Sequence, residues 1–237
     1  MLSAFGRVVK TADLRRKLLF TLAMIVLYRV GTFIPAPGVS YGNVQQCLNA
    51  NVTSGGVYDI VNLFSGGALL QLSIFALGVM PYITASIIIQ LLRVVIPRFQ
   101  ELHDEGAQGQ AKLTQYTRYL TIALALLNAT TIVSMARSGV LLGNCPGIIP
   151  QDDVLHILLI IVTLCAGTTV IMWMGEQITE RGVGNGMSLL IFTSIASSFP
   201  SALGSIQRTH GWGIFAAVCG IGLLVMLAVV YVEQSVR

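Results

Sequence analysis

The sequence predicts an all-α membrane protein with six transmembrane helices. Hydrophobic residues make up 54% of the 237 residues, charged residues only 10%, and the mean hydropathy is +0.78. Soluble domains carry about 25% charged residues, so a soluble surface would have too little polar cover for this chain. Inside a bilayer each backbone amide must be satisfied within its own segment, and the apolar segments are therefore predicted to be helices.

Six segments are long and apolar enough to cross a hydrocarbon core about 30 Å thick. They are residues 18–34, 68–92, 119–136, 154–174, 183–206 and 211–232. The first segment follows a basic stretch, residues 1–17, and no small-residue cleavage signature comes after it. We therefore interpret it as a retained anchor rather than a cleaved signal peptide.

Lys and Arg are distributed unevenly among the connections between these segments. The outside connections would hold only Arg137 and Arg208, and Arg29 lies near the outer end of the first span, where its side chain can reach the interface. The inside segments would hold Arg7, Lys10, Arg15, Arg16, Lys17, Arg93, Arg98, Lys112, Arg118, Arg181 and Arg237. Cytosolic loops are enriched in Lys and Arg, so both ends of the chain are predicted to face the cytosol.

Two connections are longer than the others. The outer one, residues 36–67, becomes apolar again at residues 57–63, which are too few to cross the bilayer. They predict either a short interfacial or re-entrant helix or a surface-loop helix without a moving part, and the pattern does not separate the two. The cytosolic connection, residues 95–117, carries charges of both signs and is either solvated surface or a contact for a cytosolic partner.

The sequence contains no motif for catalysis, metal binding or a cofactor. The predicted spans hold almost no ionisable residue at bilayer depth, where enzymes and ion-coupled transporters usually need one. The 103–105 cluster His-Asp-Glu has no second ligand group at metal spacing, and residues 182–186, Gly-Val-Gly-Asn-Gly, lack the Lys-Ser/Thr ending of a phosphate loop. A tight turn with Asn185 near a helix start explains the second motif better.

Several linear motifs resemble those of the SecY family of protein-secretion channels. Residues 62–69 (NLFSGGAL) and 75–92 (FALGVMPYITASIIIQLL) resemble the family's plug and second span. Residues 115–119 (QYTRY) resemble its entry to the third span, and residues 172–186 (MWMGEQITERGVGNG) its turn between the fourth and fifth spans. Residues 232–234 (VEQ) resemble the exit from the sixth span, so the likeness extends in order along nearly the whole chain.

The resemblance implies a larger architecture than this chain provides. Family members have ten spans in two inverted halves around a pore, and this chain resembles the first half plus the sixth span. We expect a basic cytosolic segment at residues 1–17, the first half at residues 18–206, and the sixth span with the start of the second half at residues 207–237. A pore would need the other wall from elsewhere.

The resemblance also implies a pore subunit of the general secretion channel in the plasma membrane, with no enzymatic activity of its own. Matching positions place an apolar pore ring at Val79 and Ile83 on the second span and at Met187 and Ile191 on the fifth. Each pair is spaced i, i+4 and so lies on one helix face, although ordinary helix packing would give the same spacing. A narrow apolar ring resists wetting and blocks ions without a charged gate.

Further expectations follow from the same likeness. The segment 57–71 is expected to be a plug, with its named residues Ile60, Val61, Leu63, Phe64, Ser65, Gly66 and Gly67. Gln90 and Asn128 are expected at a lateral gate, although structural hydrogen bonding explains them equally well. The expected partners are SecE-like and SecG-like membrane subunits, a SecA-type ATPase motor or a ribosome, signal peptides with their preproteins, and lipid. Cytosolic contacts are expected at Arg98, Lys112, Arg118, Glu176 and Arg181.

The four cysteines form no metal or redox motif. Cys47 and Cys145 both fall in predicted outside loops, where a disulfide is permitted but not required. Cys165 and Cys219 lie in spans, as apolar fillers. Rival interpretations are a small-solute transporter, which would need a polar site at the midplane, a membrane-embedded enzyme, and a purely structural membrane subunit.

Overall fold

The computed structural model describes residues 12–40, 42–44, 65–69, 71–138 and 153–235, without the side chains of residues 201, 202, 205–210 and 233. The described part is helical, and its one β-type pairing is an isolated bridge between Pro35 and Ser73. In chain order the helices are α1 (Ala12–Phe33), α2 (Met80–Val95), α3 (Pro97–Asp104), α4 (Ala107–Arg137), α5 (Val154–Arg181) and α6 (Gly186–Ser235). The predicted all-α fold class is confirmed.

Three described helical segments are long and apolar enough to cross a membrane: Ala107–Arg137, Val154–Arg181 and Gly211–Val232. Helices α2 and α3 together would make a fourth, but the chain bends by 101° between them. The start of α6, Gly186–Pro200, is apolar but shorter. Helix α1 carries Arg16, Lys17 and Arg29 within or beside its most apolar stretch, and it does not meet the same standard. The predicted count of six spans is therefore not confirmed.

The second predicted span differs from the structure at its start. Residues 68–92 were expected to be one helix, but residues 71–79 form turns and α2 begins only at Met80. The reason is an alternative set of backbone partners: the amide of Ala36 donates to the carbonyl of Leu72 at 3.0 Å, and the amide of Ile74 donates to that of Ile34 at 3.0 Å. A backbone satisfied by a neighbouring segment gains nothing further from helix formation.

The region predicted as a cytosolic connection is largely helical. Residues 97–104 form α3, and α4 begins at Ala107, well before the predicted span at residue 119. At the corner before α3, Arg93 Nη1 lies 3.1 Å from His103 Nδ1. The polar first part of α4 and its apolar remainder form one continuous helix. This is possible because a helix forms its own backbone hydrogen bonds in water and in lipid alike.

Two apolar clusters form the core of the first structural unit, Met1–Ile195. One cluster lies between α4, α5 and the turns before α2, and its fully buried members include Leu72, Ala129 and Leu164. The other lies between α1, α5, α2 and the start of α6, around Tyr28, Ile171 and Leu190. Small residues on α4 and Gly167 on α5 allow close approach of neighbouring backbone, as is usual between membrane helices.

The second structural unit is Ala196–Arg237. It contains most of α6, which is interrupted at Gly211 by a non-helical backbone conformation (φ 78°, ψ 178°). Just after this break, the rings of Trp212 and Phe215 pack edge to face with centroids 5.8 Å apart. The apolar stretch Gly211–Val232 then matches the sixth predicted span in position.

Candidate functional site

The four predicted ring residues lie in one apolar cluster. Val79, immediately before α2, and Met187, in the first turn of α6, are buried, with 2% and 8% of their surface exposed. Ile83 and Ile191 are partly buried and pack against the same cluster. Residues about a hundred positions apart in sequence are thus brought together in one cluster, although Val79 lies just before α2 and not on it as predicted.

A cavity of about 450 Å³ lies beside this cluster, between α2, α4, α5 and the start of α6. Ile83, Met187 and Ile191 line it, and so do polar groups that include Gln90, Arg118 and Glu176. The cavity therefore combines an apolar part at the predicted ring with a charged part farther along the same helices. Water can enter a space of this size where polar groups are available to bind it.

The turn between α5 and α6 sets the position of Met187. Asn185 Oδ1 accepts hydrogen bonds from the amides of Met187 (3.1 Å) and Ser188 (3.4 Å), so it caps the helix N-terminus as the sequence predicted. The amide of Gly186 donates to Thr179 Oγ1 at 2.9 Å. A Cβ atom on Gly186 would collide with the carbonyl oxygen of Gly175 on α5. Only glycine permits this close crossing, and the crossing holds Met187 over Gly175.

Arg118 and Glu176 form an ion pair on the cavity wall. Arg118 Nε donates to Glu176 Oε1 and Arg118 Nη2 donates to Glu176 Oε2, each at 2.8 Å. The Glu176 side chain is 15% exposed and that of Arg118 is 46% exposed. In this structure they bind each other and join α4 to α5. Their expected contact with cytosolic partners stays a prediction.

The other predicted partner-contact residues lie on exposed surface. Arg98 is exposed in the first turn of α3, and Arg181 is the exposed last residue of α5. Lys112 lies 3.9 Å from Glu105, with both side chains more than half exposed. An exposed pair of this kind is weak, and Lys112 can exchange Glu105 for another acidic group at little cost.

The two predicted gate residues have different surroundings. Gln90 is exposed on α2, lines the cavity and lies within 3.4 Å of Ser86 Oγ, one turn earlier on its own helix. Asn128 is exposed on α4 and is not among the residues that line the cavity. Their separate positions do not test the gate assignment, which stays a prediction.

Among the predicted plug residues, Ile60, Val61, Leu63 and Phe64 lie outside the described residues, as do Cys47 and Cys145. Ser65, Gly66 and Gly67 form a turn, called here the 65–67 turn. Arg29 Nη1 donates to the carbonyl of Gly66 at 3.0 Å, and the Arg29 guanidinium lies over the Phe33 ring at 5.2 Å. The sequence prediction that Arg29 merely reaches the interface missed this contact, although a charged residue within a predicted span was itself the signal.

The described residues hold no group of three or more His, Cys, Asp or Glu side chains that could bind a metal ion. On the cavity wall, the carboxylate of Glu176 is engaged by the guanidinium of Arg118. The structure thus shows an apolar cluster beside a cavity that is partly lined by polar groups.

Comparison with known proteins gives consistent matches along the chain. The family model described as SecY matches residues 73–237. The protein translocase subunit SecY of Micrococcus luteus is 62% identical over 237 residues, which is 100% of this chain and 54% of the relative. That of Streptomyces scabiei is 57% identical over 244 residues, covering 100% of this chain and 56% of the relative. The chain therefore spans about half the length of the curated relatives it matches.

Two solved structures share the fold. One is described as the structure of a protein conducting channel, and the other as Sec61 in the canine ribosome-channel complex from the endoplasmic reticulum. Each has a TM-score of 0.58 and 19% identity, and each match covers 94% of this chain and 48% of the other. At this identity the likeness establishes the fold alone.

Proposed function

This chain belongs to the SecY family, and on that premise we propose that it forms one part of the pore subunit of the general protein secretion channel. The complete subunit conducts unfolded preproteins across the plasma membrane and releases membrane segments sideways into lipid. The chain contributes the first half of the pore wall, and the remainder of the subunit contributes the rest.

The shared apolar cluster of Val79, Ile83, Met187 and Ile191 is the observation that carries this proposal. Water is unstable in a narrow apolar constriction, so such a ring excludes hydrated ions without a charged gate. Apolar side chains also form no specific hydrogen bonds with a passing chain, so preproteins of many different sequences can pass. Met187 is unbranched and flexible, and it adapts the ring to chains of different width.

The cavity beside the cluster is lined in part by polar groups, and we assign it as a polar chamber through which a preprotein reaches the ring. The backbone of an extended preprotein carries an unsatisfied donor and acceptor at every residue and needs water or polar walls before it enters the constriction. We assign this chamber to the cytosolic side, because Arg118, which lines it, belongs to the Lys and Arg residues of the predicted cytosolic segments. The N-terminus is then cytosolic and the chain is multi-pass in the plasma membrane.

The driving force comes from partners rather than from this chain. We assign that role to a SecA-type ATPase or a translating ribosome, and we expect SecE-like and SecG-like membrane subunits beside the channel. The exposed Arg98, Lys112 and Arg181 are available for cytosolic contacts. The chain itself acts as a channel wall and not as an enzyme.

The plug and lateral gate are further parts of the proposal. The segment 57–71 closes the outer funnel at rest, and Gln90 and Asn128 lie at the opening through which membrane segments reach lipid. The 65–67 turn next to α1 and α6 supports the first assignment. The exposure of Gln90 and Asn128 supports the second.

Crosslinking to a trapped preprotein tests the function directly. Single cysteines replace Ile83, Ile191 or Leu91 in a full-length subunit that carries this sequence, and a preprotein with one cysteine is stalled during translocation. Leu91 is the matched control because it lies on α2 with Ile83 but is exposed and does not line the cavity. The expected result is disulfide formation at Ile83→Cys and Ile191→Cys but not at Leu91→Cys. Equal crosslinking at all three positions, or none at the two ring positions, refutes the proposal.

A further inference from the structure

Arg29 is a charged residue in the outer part of α1, close to the second apolar cluster of the core. A guanidinium beside an apolar cluster is stable only if hydrogen-bond acceptors bind its N–H groups and nearby groups stabilise its positive charge. Here one N–H donates to the carbonyl of Gly66 at 3.0 Å, and the face of the Phe33 ring lies 5.2 Å away. Among the described residues, the carbonyl of Gly66 and the ring of Phe33 are therefore the groups that stabilise this charge.

The carbonyl that Arg29 binds belongs to an ordered turn. Gly66 has φ +67°, a conformation that side chains rarely adopt, and a Cβ atom there would lie 3.1 Å from Arg29 Nη1 and 3.4 Å from Ser194 Cα. Ser65 Oγ accepts a hydrogen bond from the amide of Leu69 at 3.0 Å and closes the turn. The 65–67 turn is thus enclosed between α1 on one side and α6 on the other.

Ser194 connects this turn to the predicted ring. It lies three residues after Ile191, so the two side chains share a face of α6 and are separated by about 4.5 Å along its axis. Tyr28, next to Arg29 in sequence, lies 2.7 Å from Ser194 Oγ through its hydroxyl, and both side chains are buried. The 65–67 turn is consequently held about one helical turn from Ile191.

We infer that Arg29 is a positioning residue that holds the 65–67 turn against α6 beside the apolar ring and so keeps the resting channel closed to ions. This inference rests on the proposed function. The guanidinium loses its carbonyl when the turn moves away, and water must replace it. Departure of the turn is therefore coupled to wetting of the space around Arg29, and the dry resting state is favoured until an arriving chain opens it.

Ion permeability at rest measures this role. The variants Arg29→Gln, Arg29→Lys and Arg137→Gln are made in a full-length subunit that carries this sequence, and each is reconstituted in proteoliposomes. Arg29→Gln should raise resting ion permeability by about tenfold, the effect of losing one charge-assisted hydrogen bond that favours the closed state. Arg29→Lys should give a smaller rise, since it keeps a charged donor but loses the planar fork. Arg137→Gln, which removes an exposed arginine at the end of α4, should leave permeability unchanged.

The Tm of the purified variants separates a positioning role of Arg29 from a general destabilisation of the fold. A rise in permeability with an unchanged Tm supports the inference, and so does graded recovery in Arg29→Lys. Unchanged permeability in Arg29→Gln, or an equal rise in Arg137→Gln, overturns it. If Arg29→Gln does not assemble, Gly66→Ala decides, because alanine is strained at φ +67° and its Cβ would crowd Arg29 Nη1, so the substitution disturbs the contact between the turn and Arg29. Permeability at the wild-type level in Gly66→Ala would then overturn the inference.

Translocation by the wild-type protein keeps the two proposals apart. A wild-type subunit that moves no preprotein contradicts the proposed function. A wild-type subunit that moves preprotein, combined with an ion-tight Arg29→Gln variant, contradicts only the role of Arg29.

Discussion

The guanidinium of Arg118 and the carboxylate of Glu176 make two parallel hydrogen bonds of 2.8 Å across the interface between α4 and α5. The residues lie 58 positions apart, and their pair forms part of the wall of the cavity next to the predicted ring. Two-point pairing fixes the relative rotation of the two side chains as well as their distance.

Reversing either charge should destabilise the protein, and reversing both should restore part of the loss. Arg118→Glu faces Glu176 with a like charge, whereas Arg118→Glu combined with Glu176→Arg restores attraction. Because Arg118 is nearly half exposed, solvent screens the pair and its coupling should be about 1 kcal/mol. Thermal unfolding of the two single variants and the double variant gives this coupling, and strictly additive effects would show that the pair contributes nothing.

A polar side chain in the predicted ring should make the resting channel leak. Ile83→Ser places a hydroxyl in the apolar constriction and stabilises water there, so ion permeability should rise several-fold. Leu91→Ser on the same helix changes an exposed position outside the cavity and serves as the control. The measurement is ion flux through proteoliposomes without preprotein. An ion-tight Ile83→Ser channel would remove Ile83 from the ring.

Adding a methyl group at Gly186 should weaken the α5–α6 hairpin. The new Cβ collides with the carbonyl oxygen of Gly175, and separating the two helices should cost about 1–3 kcal/mol. Gly213→Ala is the matched control, because nothing lies within 4 Å of its Cβ position and alanine favours a helix. Thermal unfolding should show a lower Tm for Gly186→Ala and an equal or higher Tm for Gly213→Ala. The reverse order would contradict the close crossing.

Removing the cap at the start of α6 should also lower stability. Asn185→Ala leaves the amides of Met187 and Ser188 without their side-chain acceptor, at a cost of about 1 kcal/mol. Asn185→Asp keeps an acceptor oxygen and places a negative charge at a helix N-terminus, so its Tm should stay at or above that of the wild type. An equal fall in Tm in both variants would contradict the role of the Asn185 side chain as a helix cap.

Local features were predictable because they depend on residues that are near one another in the sequence. Apolar composition and segment length were enough for the all-α membrane class, for the end of α4, for the start of α5 and for the stretch Gly211–Val232. The pattern around Asn185 was enough for a helix cap. Spacing alone also placed Met187 and Ile191 on one face of a helix. Val79 was predicted on the second helix with Ile83, but it lies just before the start of α2.

Composition did not reveal where the second span becomes helical. Residues 68–79 are as apolar as those that follow, but residues 72 and 74 find backbone partners at residues 36 and 34. Hydropathy measures the cost of exposing side chains and contains no information about which segment will satisfy a backbone amide.

By itself, the sequence determined that this chain is helical, membrane-embedded and provided with two apolar faces whose i, i+4 spacing suits a ring. Only the tertiary structure decided that these faces meet, that Arg118 binds Glu176, and that Arg29 binds the carbonyl of Gly66. The difference has a physical reason: periodicity acts within one helix, whereas contacts between helices depend on where glycines allow close crossing and which polar groups then find each other in an apolar surrounding.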